Sequence, residues 1–366
     1  MLSKGDDFPI HQTPEPVAFA GTDRNFYDRY FFNGSRADGS GFFAVAFGVY
    51  PHLNVADAHI SVLRGEEQLC LHASRELGME RMDLKVGPIS IEVIEPLNSL
   101  RIRVDGEGWK ADLVCEGRSF PIQEPRFTKR NGPRVEMDFT RFTQAMRWSG
   151  WIEIDGKREE YGAGSVGVRD RSWGVREIGE RDPQPRVPKE ARQFYWLWSP
   201  TNFPNLALYY HANEDEAGKP WNTRCLLAMD GAGQGEHLEL HSARMSMVWE
   251  SGKRFAKSMV LDVKDPSGRD HRVTWTPIAN FHMKGIGYLS KEWRHGLYKG
   301  KLLVERETFR PADLDPLAAT NVHIEAICRA RHEGGGASSE GIGTFEQLVI
   351  GPHTPSGFTS FLDGAG

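Results

Sequence analysis

The stretch Gly162–Glu177, GAGSVGVRDRSWGVRE, holds the densest group of side chains able to do acid–base work. Arg169, Asp170, Arg171, Trp173 and Arg176 crowd together there, with Gly167 and Gly174 permitting close backbone approach. In an extended chain, alternation sends Arg169, Arg171 and Trp173 to one face and Asp170 and Ser172 to the other. A carboxylate beside an aromatic wall can move a proton, its pKa raised by burial and lowered by a neighbouring arginine. The competing reading is structural. Buried charges are almost always paired, and arginine grips a carboxylate through two nitrogens, so the same residues could simply tie strands together.

Three further stretches carry candidate groups. In Phe194–Asn202 (FYWLWSPTN), a strand would put Phe194, Trp196 and Trp198 on one face and Tyr195 and Leu197 on the other, with Asn202 following. Asp23–Asn33 (DRNFYDRYFFN) offers Tyr27, Asp28 and Tyr30. Tyr50–His59 (YPHLNVADAH) offers Tyr50, Asn54 and Asp57 after an apolar run. Tyrosine hydroxyls and asparagine amides orient ligands in largely apolar pockets. They also make ordinary loop hydrogen bonds, and any one aromatic is more often core than wall.

Other patterns fail on context. Gly162, Gly164 and Gly167 spell GxGxxG, but no helical pattern follows to meet a pyrophosphate. Ser165 lacks the α/β surroundings of a nucleophile elbow. His237 and His241 lie on an alternating stretch, where positions four apart are separated by about 13 Å, too far for one ion. No other His, Cys or carboxylate cluster has metal spacing, so the sequence predicts neither metal nor cofactor.

The elements that must position these groups read as strands. Gly41–Tyr50 is an apolar run of strand length. Ile89–Pro96, Leu100–Asp105, Lys110–Glu116 and Trp148–Asp155 alternate with period two. The pattern resumes after residue 190 and closes with Leu297–Phe309, Val322–Arg331 and Gly341–Ile350. Helical spacing is confined to Phe139–Met146 and to the proline-limited Arg310–Ala319. So many short strands predict an all-β chain of antiparallel barrels or sandwiches, with room for a small ligand.

At 366 residues the chain exceeds the size at which one core stops growing. The proline-rich, charged Ile178–Arg192 divides it, giving domains at 1–180 and 190–366 with a linker at 181–189. Net charge is −5 and no basic stripe appears, which argues against nucleic acid. No run nears about 18 apolar residues and no secretory leader is visible, so no transmembrane segment is expected. Cys70, Cys115, Cys225 and Cys328 stand far apart and read as buried thiols in a reducing cytoplasm.

The segment Asp170–Arg176, DRSWGVR, resembles the Asp-His-Ser-Trp-Gly-x-Arg signature of the carotenoid 1,2-hydratase (hydroxyneurosporene synthase) and AttH-like group. Residues 26–34, 42–58, 194–203, 211–221 and 341–359 extend the resemblance over most of the chain. It implies two lipocalin-like (calycin) β-domains, and hydration, dehydration or isomerisation at a C=C bond of a bulky hydrophobic molecule. Asp170, Ser172, Trp173, Gly174 and Arg176 match the signature, while Arg171 replaces its histidine and cannot shuttle protons near neutrality. On this reading Asp170 is the acid and Arg176 fixes it. Tyr195 or Tyr27 orients water or substrate. Trp173, Trp196 and Trp198, with Tyr50 and Asn202, line the pocket. The alternative is a non-catalytic carrier of a hydrophobic ligand.

Overall fold

The structure, a computed structural model, describes residues 2–11, 23–181 and 193–366. Residues 182–189 of the expected linker lie outside the described residues. Among the described residues the chain is all-β, and its helical pieces are 3-10 turns of three or four residues. Phe139–Met146 is not helical. It is the middle of a 21-residue strand, Arg134–Ile154, paired with Val166–Val175 on one edge and Trp109–Gly117 on the other. Ladder bonds on both edges override a short helical spacing. Arg310–Ala319 forms only the 3-10 turn Pro311–Asp313, and the strand expected from Leu297 begins at Leu302.

Two compact units account for the chain: Met1–Arg186 with Gly285–Phe309, and Val187–Lys284 with Arg310–Gly366. The division is not a single cut. Leu302–Phe309 joins the first unit because it pairs antiparallel with Glu67–Glu76.

The first unit begins its sheet with β1 (Phe26–Ser35), β2 (Phe43–Tyr50), β3 (Val55–Arg64) and β4 (Glu67–Glu76). From Leu302–Phe309 the order is β4, β3, β2, β1, then Val166–Val175, Arg134–Ile154, Trp109–Gly117, Ser99–Gly106, Ile89–Glu95 and Lys85–Val86. Alternation gives the sheet two distinct faces. One collects Tyr30, Phe32, Phe43, Phe47, Ile60, Trp109 and Trp148 into a continuous core. Asp7 enters the same side of the sheet, pairing with Arg169 and accepting from the Leu97 N–H. The other face of β1–β4 carries Arg29, Tyr50, Asp57, His59, Cys70, His72 and Ser74, all buried. The segment after Gly285 covers part of it: Ser74 Oγ donates to the Leu297 carbonyl at 3.2 Å, and the Gly296 N–H donates to Asp57 Oδ2 at 2.7 Å.

In the second unit the pairings form a closed circuit. Phe194–Trp198 pairs with Leu206–Glu214 and with Ala337–Ile350, and the remaining strands complete the ring between them. Closure removes free sheet edges. Leu197, Phe203, Leu208, Tyr210, Met259, Trp275 and Phe345 fill its interior. All four cysteines are buried free thiols.

Candidate functional site

The β3–β4 hairpin sets the first half of the site. Its turn leaves Arg64 opposite Glu67, and that register places His59 opposite His72 and Ser61 opposite Cys70. Ala58, Ile60, Leu71 and Ala73 face the core, so Asp57, His59 and His72 share the other face. His59 Nδ1 lies 3.0 Å from His72 Nδ1, and His72 Nε2 lies 3.4 Å from Glu307 Oε2. Burial lowers the His72 pKa to about 4, leaving the ring neutral at pH 7. Either Nδ1 can donate across this contact. His59 is left with its Nε2.

That nitrogen faces Asp57 Oδ1 at 3.7 Å, and His295 Nδ1 approaches the same oxygen at 3.8 Å. Tyr50 donates its hydroxyl to Asp57 Oδ1 at 3.0 Å. Burial would raise the Asp57 carboxyl, but the adjacent His295 and His59 outweigh it and hold it below the usual range. Burial lowers His295 to about 3, and the charge of Arg29 adds to that. Two glycines make the arrangement possible. A Cβ on Gly48 would sit 2.1 Å from the Tyr50 hydroxyl, so only glycine lets that ring fold back toward Asp57. Gly296, with φ +79°, turns its N–H onto the carboxylate.

The second half of the site is a pair of guanidiniums between phenols. Arg29 lies over the Tyr288 ring at 4.7 Å and the Tyr27 ring at 5.3 Å. Arg176 approaches the same rings at 5.5 and 5.2 Å. Burial would lower the Arg29 pKa, and Tyr288, Tyr50, Tyr27 and Asp170 outweigh it, so Arg29 stays charged. Tyr27 Oη and Arg29 Nε and Nη1 are buried with no hydrogen-bond partner. Tyr288 stands edge-on to His295 at 4.8 Å, so the two halves adjoin.

Of the residues singled out from the sequence, Tyr27, Tyr50, Asp57, Asp170 and Arg176 come together here. Asp170 sits opposite Phe31 on β1, two pairs along from Ser172 opposite Arg29 and on the same face. Its charge reaches Arg29, and Arg176 lies over the same two tyrosine rings. Trp173 does not join them. Val166–Val175 is a regular strand, so Trp173 points to the opposite face, stacked on His11 at 3.6 Å. The proposed wall and acid are therefore separated by the sheet. Tyr195 faces the core of the second unit, its hydroxyl against Met247 Sδ and its ring stacked on His353. Trp196 and Trp198 are buried on the other side of that strand, Trp196 tilted against His211, and Asn202 is buried opposite Ala207.

Arg29, His59, His72, Tyr288 and His295 are not among the residues singled out from the sequence. For two of them a signal existed. Asp57, His59 and Ser61, and Cys70, His72 and Ser74, alternate with apolar residues, and His59 and His72 are equidistant from the hairpin turn. His295 carries no local signal.

An all-β chain of two lipocalin-like units is the class this architecture defines. Residues 2–359 match a family of unknown function, DUF8625, and the chain belongs to it. The crystal structure of an AttH-like protein from Nitrosomonas europaea aligns with a TM-score of 0.52 and 12% identity, covering 92% of this chain and 98% of that one. That likeness is one of fold. Kievitone hydratase from Nectria haematococca aligns with a TM-score of 0.47 and 11% identity, covering 88% of each chain. No curated protein matches. Among the described residues, no helix is long and apolar enough to cross a membrane.

Proposed function

We propose that this chain is a cytoplasmic enzyme that adds or removes water, or shifts a C=C bond, in a bulky apolar molecule bearing a conjugated carbonyl. The observation that carries the reading is the set of buried, unpartnered donors on Tyr27 and Arg29, on the face that also holds Asp170. Buried donors rarely stay empty-handed, and a substrate oxygen would complete them.

The charges select the polarity of the reaction. Protonating an isolated alkene makes a cation, which Arg29 and Arg176 would repel. Removing a proton beside a carbonyl instead sends the electron pair to oxygen, where Arg29 and Tyr27 stabilise it. In the dehydrating direction Asp170 takes the α-proton, the oxyanion forms, and its collapse expels the β-hydroxyl, which takes that proton from Asp170 and leaves as water. Hydration runs these steps backward, with Asp170 returning the proton to carbon.

The test uses a panel of bulky enones and their β-hydroxy ketones, followed by the ultraviolet absorbance of the conjugated system. Turnover is expected, with a loss of about 10²–10⁴-fold in a folded Asp170→Asn protein. Full turnover in that variant overturns the assignment. A native mass spectrum showing a tightly held lipid-like ligand, with no turnover of any panel member, makes the protein a carrier.

A further inference from the structure

We propose that Asp57, His59 and His295 form a binding site for a divalent transition-metal ion. Each offers one ligand atom, and these atoms lie within 4.8 Å of one another with all three residues buried. The approaches to Asp57 Oδ1 are 3.7 Å from His59 Nε2 and 3.8 Å from His295 Nδ1. Ligand atoms around a tetrahedral zinc stand about 3.3 Å apart, so the two histidine approaches to Asp57 are each within about half an ångström of that spacing.

A second observation points to a ligand. His59 Nε2 and both nitrogens of His295 are buried with no hydrogen-bond partner, in side chains at most 4% exposed. Native structures almost always satisfy such atoms. The surroundings also aim lone pairs inward. His72 Nδ1 lies 3.0 Å from His59 Nδ1, which leaves His59 Nε2 facing the trio. Tyr50 and the Gly296 N–H hold the Asp57 carboxylate from outside. Metal-binding histidines and carboxylates are anchored in this way by outer partners.

Two imidazoles and one carboxylate suit zinc or ferrous iron rather than magnesium or calcium, and three protein ligands leave a position open. Cys70, His72 and Glu307 form a neighbouring group of potential ligands. Both ring nitrogens of His72 already face partners there, and Cys70 Sγ is hydrogen-bonded with Ser61 at 3.2 Å, which makes that group the support of the first. Spacing along the chain carries no sign of these ligands. This site joins a hairpin to a residue far downstream. It stands independently of the reaction proposed above.

The experiment strips the full-length protein with chelator and adds back Zn²⁺ by calorimetry and Co²⁺ by visible absorption. We expect a single ion per chain, and Co²⁺ d–d bands without a thiolate charge-transfer band. A His295→Ala protein with an unchanged circular dichroism spectrum should lose both. His72→Gln should keep the stoichiometry and weaken affinity about 10–100-fold. Substoichiometric uptake by the wild-type chain overturns the site, whether or not the variants fold. A thiolate band would also overturn it, moving the ion to Cys70.

Discussion

Arg171 and Asp28 form an ion pair of 2.7 Å that solvent scarcely reaches. Arg171 also donates to the Arg29 carbonyl at 2.7 Å and to the Phe8 carbonyl at 3.0 Å, and lies over the Tyr30 ring at 3.8 Å. The residue standing where the resembling signature has histidine is thus a structural tie. An imidazole still reaches this place. His11 bonds Asp28 at 2.7 Å and stacks on Trp173. Burial would raise the Asp28 carboxyl, but Arg171 and His11 outweigh it, so its pKa is lowered.

Removing that carboxylate leaves Arg171 charged and uncompensated. Asp28→Asn should cost about 3–5 kcal/mol in urea unfolding. A loss below about 1 kcal/mol would mean that the pair contributes far less than its burial implies.

Tyr27→Phe separates function from stability. The Tyr27 hydroxyl has no partner, so its loss should change unfolding free energy by no more than about 1 kcal/mol. Turnover or ligand binding should fall, because the substrate oxygen loses a donor. Strong destabilisation would show that the hydroxyl bonds a protein group after all.

Gly48→Ala puts a methyl group 2.1 Å from the Tyr50 hydroxyl, displacing that ring from Asp57. The expected cost is about 1–3 kcal/mol, typical of overpacking. Unchanged thermal unfolding would show that Tyr50 can swing aside freely.

His282 supplies a pH dependence. Burial pulls its folded pKa to about 4, with Lys284 adding to this and a backbone bond to Asn321 opposing it. Its unfolded pKa is about 6.5, so below that pH the unfolded chain binds a proton the folded chain refuses. The neutral, buried ring therefore favours folding above pH 6.5, and that contribution is lost as pH falls toward 4. The loss is on the order of 3 kcal/mol. Urea midpoints at pH 7 and 4.5 should differ less in His282→Gln than in the wild type, and equal differences would count against this assignment.

The sequence by itself determined the strands, because period-two alternation records which side of each residue meets a core. It therefore determined that Asp170 and Trp173 face apart once their stretch is extended, and that Tyr195 and Trp196 do likewise. What it left open were distances between segments. Only tertiary pairing turned Phe139–Met146 into strand and drew Leu302–Phe309 across to β4. The same packing carried His295 to Asp57 and Tyr288 to Arg29. Alternation is a local property of consecutive residues. A site whose parts come from β1, β3, β4 and a segment more than two hundred residues later is fixed by register and packing, which no local pattern encodes.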